Sequence, residues 1–257
     1  MDYKKAAIIT GGGGFFAIQH ATAIHQLGMR IILIDIDKKK LLNNKIILKK
    51  KKIDVEIYKV NICKEQELIL LYKKLNIKKY HVRVLINNAC INHIPKKTKV
   101  NFSNLNLKNW KLEIDVSLTG TMLCCRVFGN MMRRDRGGVI LNIASDLSVI
   151  APDQRIYSHM NYEKPITYSV VKHGVLGITK YLAAYWAKNG VRVNSLSPGG
   201  IENQQNKIFQ RKIKKLIPMG RMAKQDEYIG TIKYLCSDQS SYMTGQNIII
   251  DGGRSII

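Results

Sequence analysis

The chain has 257 residues, 46% of them hydrophobic and 23% charged, an ordinary balance for a packed protein and one that excludes general disorder. Its formal net charge is +24, from 42 Lys+Arg against 18 Asp+Glu, which raises nucleic acid or an anionic surface as a partner. The lysines lie in scattered runs (Lys38–Lys40, Lys49–Lys52, Lys96 and Lys97) with no aromatic nucleic-acid pattern and no Cys/His finger spacing, so they are read as solvated faces.

Seven short β-branched runs alternate with amphipathic stretches. In chain order they are Ala6–Thr10, a helix Phe15–Leu27 closed by Gly28, Arg30–Asp35, Val55–Asn61, a helix Lys64–Leu75 and Val82–Asn87. A helix Leu107–Arg134, Gly138–Ser145, a helix Ile166–Lys188, Arg192–Ser197, a helix Gln225–Ser237 and Asn247–Asp251 follow. Runs such as Ile31-Ile32-Leu33-Ile34 are apolar on both faces, the mark of central parallel strands. The pattern predicts one α/β domain over residues 1–257, a doubly wound parallel sheet of about seven strands with helices on both faces. Two segments fit no regular element, an insert at 151–165 and a lid at 199–218. Both follow strands at their carboxyl ends, where open parallel sheets bind ligands.

The longest uncharged stretch, Ala6–Met29, is broken by Gly11–Gly14, Gln19, His20, His25 and Gln26, and is too polar for a membrane span or signal core. The expectation is a soluble, unprocessed, cytoplasmic protein. Five cysteines (Cys63, Cys90, Cys124, Cys125, Cys236) without CxxC spacing read as reduced packing residues. The six histidines (His20, His25, His81, His93, His159, His173) show no ligand spacing, so no metal is expected.

The first strand runs into Thr10-Gly11-Gly12-Gly13-Gly14-Phe15-Phe16-Ala17 and then a helix. Read from Gly12 this is G-x-G-x-x-A, a turn that lets backbone N–H groups at a helix N-terminus approach a pyrophosphate. Asp35 ends the second strand, where a carboxylate accepts ribose hydroxyls and repels a 2′-phosphate. Ile36 rather than an arginine follows it, which favours NAD over NADP, although Lys38 and Lys39 could serve a phosphate. Such a cofactor points to hydride transfer. Tyr168 and Lys172 stand four apart on one helix face, and the ammonium is expected to lower the phenol pKa toward the working pH of a general acid/base.

Taken with Asn87-Asn88-Ala89, Asn142-Ile143-Ala144-Ser145, Val193–Gly199 and Tyr242-Met-Thr-Gly245…Asp251-Gly252-Gly253, these motifs give the chain a resemblance to the short-chain dehydrogenase/reductase family over nearly its whole length. The resemblance implies a Rossmann-type homotetramer or homodimer that moves a hydride between a nicotinamide and an alcohol or ketone. It implies Tyr168 as proton donor and acceptor, Lys172 on the nicotinamide ribose and Ser145 on the reacting oxygen. Cofactor contacts are implied at Gly11, Gly12, Gly14, Phe15, Phe16, Asp35, Asn61, Asn88, Ala89, Pro198, Gly199 and Ile201. Ser117 stands where the family usually has asparagine, Cys90 where it has glycine, and Phe15 where the glycine turn usually continues, as in sugar-nucleotide enzymes of the extended subgroup.

The insert offers Asp153, Gln154, Arg155, Tyr157, His159, Asn161 and Tyr162 to a hydroxylated ligand, and the lid offers Gln204 followed by Lys207, Arg211, Lys212, Lys214 and Lys215. Arg155, Tyr157, His159 and Gln204 are the candidate substrate residues. The segment Gly199–Gln204 with the insert and the glycine turn is also similar to dehydrogenases of bacterial surface-sugar and flagellin-glycan pathways. The substrate expected is therefore a polar or anionic small molecule: a sugar, sugar phosphate or sugar nucleotide. A 3-oxoacyl-thioester reductase, and a cofactor-binding regulator without turnover, remain as alternatives; membrane and nucleic-acid partners are not expected.

Overall fold

In the computed structural model, residues 3–91, 101–160 and 163–257 are described. The elements in chain order are β1 (Lys4–Thr10), α1 (Ala17–His25), β2 (Arg30–Asp35), α2 (Lys38–Lys50), β3 (Val55–Lys59), α3 (Glu65–Ile77) and β4 (Tyr80–Asn87). They continue with α4 (Leu107–Ile114), α5 (Gly120–Cys124), α6 (Asn130–Arg134), β5 (Gly138–Ile143), α7 (Ile166–Trp186), β6 (Val191–Pro198), α8 (Lys207–Lys214), α9 (Ile229–Leu235) and β7 (Asn247–Ile250). The seven strands pair in parallel in the order β3-β2-β1-β4-β5-β6-β7. The order reverses between β1 and β4, so the loops leaving those two strands diverge and open a crevice at their carboxyl ends.

Both faces of the sheet are buried, which is why the strands read as continuous apolar runs. Along β1, Ala6 and Ile8 join a core under α3, α5 and α7, whereas Ala7 and Ile9 join a second core under α1, α2 and α9. A smaller cluster of Ile156, Tyr157, Ile213, Ile217 and Met222 lies outside the sheet and ties the insert to the lid.

Two helices were not expected from sequence. Helix α2 buries only Leu41, Asn44 and Leu48 under a lysine-rich exterior, and Asp37 caps it by accepting from Lys40 N at 3.1 Å. Helix α8 falls inside the segment read as irregular; it buries Ile213, and Asn206 caps it by accepting from Ile208 N at 2.7 Å. In α2 the apolar stripe is too sparse for periodicity to show, and α8, although amphipathic, is too short a run for its pattern to stand out. The long helix expected over Leu107–Arg134 runs over those residues without a break, widened by π-helical turns at Asp115–Thr119 and Cys125–Gly129. The helix expected from Gln225 begins at Ile229. Among the described residues no helix is long and apolar enough to cross a membrane.

Candidate active site

The glycine turn is built by the chain around it. Gly11 has φ +62°, and a Cβ there would lie 2.8 Å from Ala89 Cα, so the turn closes against the end of β4 only without a side chain. Gly12 N donates to Ile34 O at 2.9 Å, Gly13 N to Asp35 Oδ2 at 3.0 Å and Gly14 N to Gly11 O at 2.9 Å. From α2, buried Asn44 Nδ2 donates to Gly12 O and Gly14 O, both at 2.9 Å. The N–H groups of Phe15 and Phe16 make no hydrogen bond among the described residues, and they stand at the start of α1, where a pyrophosphate is bound by this kind of turn. That arrangement fits a dinucleotide. The Phe16 ring itself packs on His20 and edge-on against Tyr228.

Asp35 is half-buried at the tip of β2, and its second oxygen accepts from Asp37 N at 2.9 Å. These two backbone donors aim the carboxylate. Asn88 is engaged inside the protein: Nδ2 donates to Thr10 O and Gly11 O at 3.1 and 3.2 Å, and Oδ1 meets His20 Nε2 at 3.1 Å. Burial pushes the His20 imidazole down to about 4, so it is neutral at ordinary pH and Asn88 works as a brace for the turn. Ala89 N and Asn88 N both donate to Thr10 Oγ1 at 3.0 Å. Asn61 follows β3, its Oδ1 accepting from Cys63 N at 3.0 Å. Pro198 ends β6, Gly199 N donates to Ile250 O at 2.8 Å, and Ile201 bridges to Ala223.

Across the crevice, β5 presents Ser145 and α7 presents Tyr168 and Lys172. Lys172 is buried and its Nζ donates to Ile143 O at 2.9 Å, with the ammonium 5.6 Å from the centre of the Tyr168 ring. Tyr168 and Ser145 share a side-chain hydrogen bond. The expected lowering of the phenol pKa is not what this arrangement produces. Burial pushes Tyr168 up, nearby Cys90 and Asp146 add to it, and the bond to Ser145 only partly opposes them. Ser117 lies in the first π turn, and its Oγ donates to Cys90 Sγ at 3.4 Å.

Of the candidate substrate residues, the structure commits two elsewhere. Arg155 is 88% exposed and its guanidinium is held by Asp153 at 2.7 Å, so it points to solvent rather than into the crevice. Tyr157 is buried in the small cluster beside Phe209, where its ring serves packing. Gln204 is exposed with φ +56°. His159 differs: both ring nitrogens are buried without a hydrogen-bond partner among the described residues. Asn161 and Tyr162 lie outside the described residues. Lid and insert meet where Lys212 Nζ donates to Ser158 Oγ at 2.6 Å and Arg155 O at 3.1 Å.

Sequence reasoning missed Lys164. Its Nζ sits 3.5 Å above the centre of the Tyr168 ring, and burial pushes its ammonium down to about 8. The signal was a Lys-x-x-x-Tyr-x-x-x-Lys spacing that places cations on both sides of the phenol. It also missed Asp146 and Arg254, a buried ion pair at 2.8 Å.

Residues 16–255 match a family model described as enoyl-(acyl carrier protein) reductase. The chain belongs to the short-chain dehydrogenase/reductase family. It is 33% identical to D-threitol dehydrogenase of Mycolicibacterium smegmatis over 180 residues, 68% of this chain and 64% of that enzyme. It is 30% identical to NAD-dependent glycerol dehydrogenase of Listeria innocua over 269 residues, covering 98% of this chain and 94% of the relative. The crystal structure of a short-chain dehydrogenase from Leptospira borgpetersenii with bound NAD+ superimposes with a TM-score of 0.83 at 29% identity, covering 98% of this chain and 93% of that one. Family membership makes the chain a nicotinamide-dependent oxidoreductase acting on a small molecule. Among the described residues no group of three or more His, Cys, Asp or Glu could hold a metal ion.

Proposed function

We propose that this short-chain dehydrogenase is NAD-linked and acts on a polyhydroxylated substrate: a polyol, sugar, sugar phosphate or sugar nucleotide. The observation that carries this reading is the pairing of Ser145 with Tyr168 beside buried Lys172, across the crevice from a glycine turn and an oriented Asp35. The two polyol dehydrogenases among its relatives, one of them named NAD-dependent, support the substrate class and the cofactor.

Phe15 and Phe16 N–H would take the pyrophosphate, Asp35 the adenosine ribose and Lys172 the nicotinamide ribose. Gly11, Gly12, Gly14, Asn61, Asn88, Ala89, Pro198, Gly199 and Ile201 would wall the cofactor groove. The bound dinucleotide supplies the hydride acceptor or donor. Tyr168 Oη takes or returns the proton of the reacting hydroxyl, and Ser145 Oγ holds that oxygen in place. His159, with unpaired buried nitrogens, reads a substrate hydroxyl. The stacked, 68% and 60% exposed rings of Tyr181 and Tyr185 on α7 support a homodimer or homotetramer, which light scattering would read.

The test is NADH formation over a panel of polyols, sugars, sugar phosphates and sugar nucleotides, with NAD+ and NADP+ compared. Turnover of a carbohydrate with NAD+ is expected. Turnover of steroids or acyl thioesters alone would overturn it. The second reading, a 3-oxoacyl-thioester reductase, is favoured by the acyl-carrier description of the matching family model. Salt-sensitive nucleic-acid binding without any turnover would instead favour a regulator.

A further inference from the structure

The insert ends by setting a lysine over the phenol. Lys164 N donates to Gln154 Oε1 at 2.8 Å and Gln154 Nε2 donates to Lys164 O at 3.0 Å, so the backbone of Lys164 is clamped from within the insert. On its other side Pro165, at φ −63°, leads into α7. Held in this way, Lys164 places Nζ 3.5 Å from the centre of the Tyr168 ring, nearer than Lys172 Nζ at 5.6 Å. Lys172 is also engaged with Ile143 O at 2.9 Å.

Packing on the ring does not require an ammonium. A methionine would cover the same face without desolvating a charge, and burial pushes the Lys164 ammonium down to about 8. The groups that act on it are Cys90 after β4, Glu113 on α4, Asp146 after β5 and Lys172 on α7. Asp146 is paired with Arg254 at 2.8 Å. Three cations, Lys164, Lys172 and Arg254, thus meet two carboxylates, Glu113 and Asp146, and one positive charge is in excess around the phenol. An anionic group on the substrate would offset it.

Reach sets where that anion lies. An ammonium above the ring centre at this distance stands about 4–5 Å from the hydroxyl oxygen of the same ring. The reacting oxygen sits about 2.7 Å from Tyr168 Oη, and a carboxylate oxygen about 2.8 Å from Nζ. A carboxylate on the first or second carbon from the reacting carbinol spans that gap. A phosphate at the far end of a sugar chain lies beyond it. An ammonium carries three donors, so Nζ can hold a carboxylate while it stays on the ring.

We propose that Lys164 is a substrate-binding residue that selects a hydroxy acid, a polyhydroxylated chain with a carboxylate one or two carbons from the carbinol that is oxidised. The inference rests on the dehydrogenase reading above and narrows its substrate. The carbinol C–H passes to NAD+ as hydride, the O–H proton passes to Tyr168, and an oxo acid and NADH remain.

The experiment compares aldonates with the alditols of the same carbon length, glycerate with glycerol and gluconate with glucitol, and with sugar phosphates. Wild-type protein with NAD+ is expected to give an aldonate a kcat/KM at least about tenfold above that of its alditol, the factor one charge-assisted hydrogen bond carries. Lys164→Met is expected to raise the KM of the aldonate about tenfold or more and to erase that preference. Lys164→Arg keeps a cation on the ring and should restore the preference to within about threefold. Above pH of about 8, where the ammonium loses its proton, the wild-type preference should fall, and Lys164→Met should show no such fall. Equal or better turnover of alditols or sugar phosphates by wild type overturns the proposal while the dehydrogenase reading stands, and so does a Lys164→Met variant that keeps the preference. The wild-type comparison decides by itself where Lys164→Met does not fold. Wild-type protein that turns over no carbohydrate and no sugar acid removes the dehydrogenase reading on these substrates, and the inference with it.

Discussion

The two sides of the crevice are held together in different ways. On the cofactor side, backbone N–H groups of the glycine turn and of the segment after β4 donate to groups at the neighbouring strand ends: Gly12 N to Ile34 O, Gly13 N to the Asp35 carboxylate and Ala89 N to Thr10 Oγ1. On the substrate side, the insert, the lid and the segment after β7 are joined through side chains distant in sequence: Arg254 to Asp146, Lys212 to Ser158 and the small cluster around Tyr157. A groove whose donors are backbone N–H groups depends on a few short side chains at fixed places, here Thr10, Asp35, Asn44 and Asn88. A pocket made of side-chain pairs can be respecified by a few substitutions, which fits a family in which fold and cofactor persist while substrates differ.

The comparison breaks most visibly at the phenol between the two sides. Tyr168→Phe is expected to lower turnover by about 10²–10⁴-fold, the usual contribution of a positioned acid/base, with NAD+ affinity by calorimetry nearly unchanged. Comparable loss in both measurements would mean that the ring holds the cofactor rather than moving a proton.

On the cofactor side, Gly11→Ala puts a Cβ 2.8 Å from Ala89 Cα at φ +62°. It should cost about 1–3 kcal/mol in urea unfolding and weaken NAD+ binding. Asp35→Ala removes the oriented acceptor together with the partner of Gly13 N, and should narrow the NAD+ over NADP+ preference about tenfold, one charge-assisted hydrogen bond's worth. An unaltered preference would place the selecting acid elsewhere.

The smallest effects separate the two sides by pH. His20, on the cofactor side, has its folded pKa lowered to about 4 from 6.5. Between those values the unfolded chain binds the extra proton, so stability falls as pH drops from about 6.5 to 4. Lys164, on the substrate side, is lowered to about 8 from 10.5, so between those values the unfolded chain again holds more protons and stability rises with pH. Lys164→Met should flatten the alkaline rise, on the order of 1 kcal/mol after solvent screening, and leave the acid limb alone. His20→Asn should do the reverse. Unfolding curves from pH 4 to 10 read both.

Legibility followed the same division. The central strands were plain in sequence because they are buried on both faces and carry apolar runs; Arg30–Asp35 was placed to the residue. The glycine turn and Asp35 were plain because strand, turn, helix and acid are close along the chain. Helix α2 was hidden by a lysine-rich exterior over few apolar residues, and α8 by its shortness. The placements of Tyr157 in a packed cluster and Arg155 at the surface were not legible, because polarity in an insert does not reveal whether a side chain faces a ligand, a packed cluster or water.

The sequence by itself determined the parallel α/β sheet and marked the glycine turn and the Tyr168–Lys172 pair through local periodicity and short fixed spacings, while Ser145 came from the family resemblance. Only the tertiary structure decided that Asn88 braces the turn through a neutral His20, that Lys164 covers the Tyr168 ring, and that Arg254 reaches Asp146 across 108 positions. Such pairs depend on which distant segments the fold brings together and how deeply it buries them, and neither contact nor dielectric environment is written in local spacing.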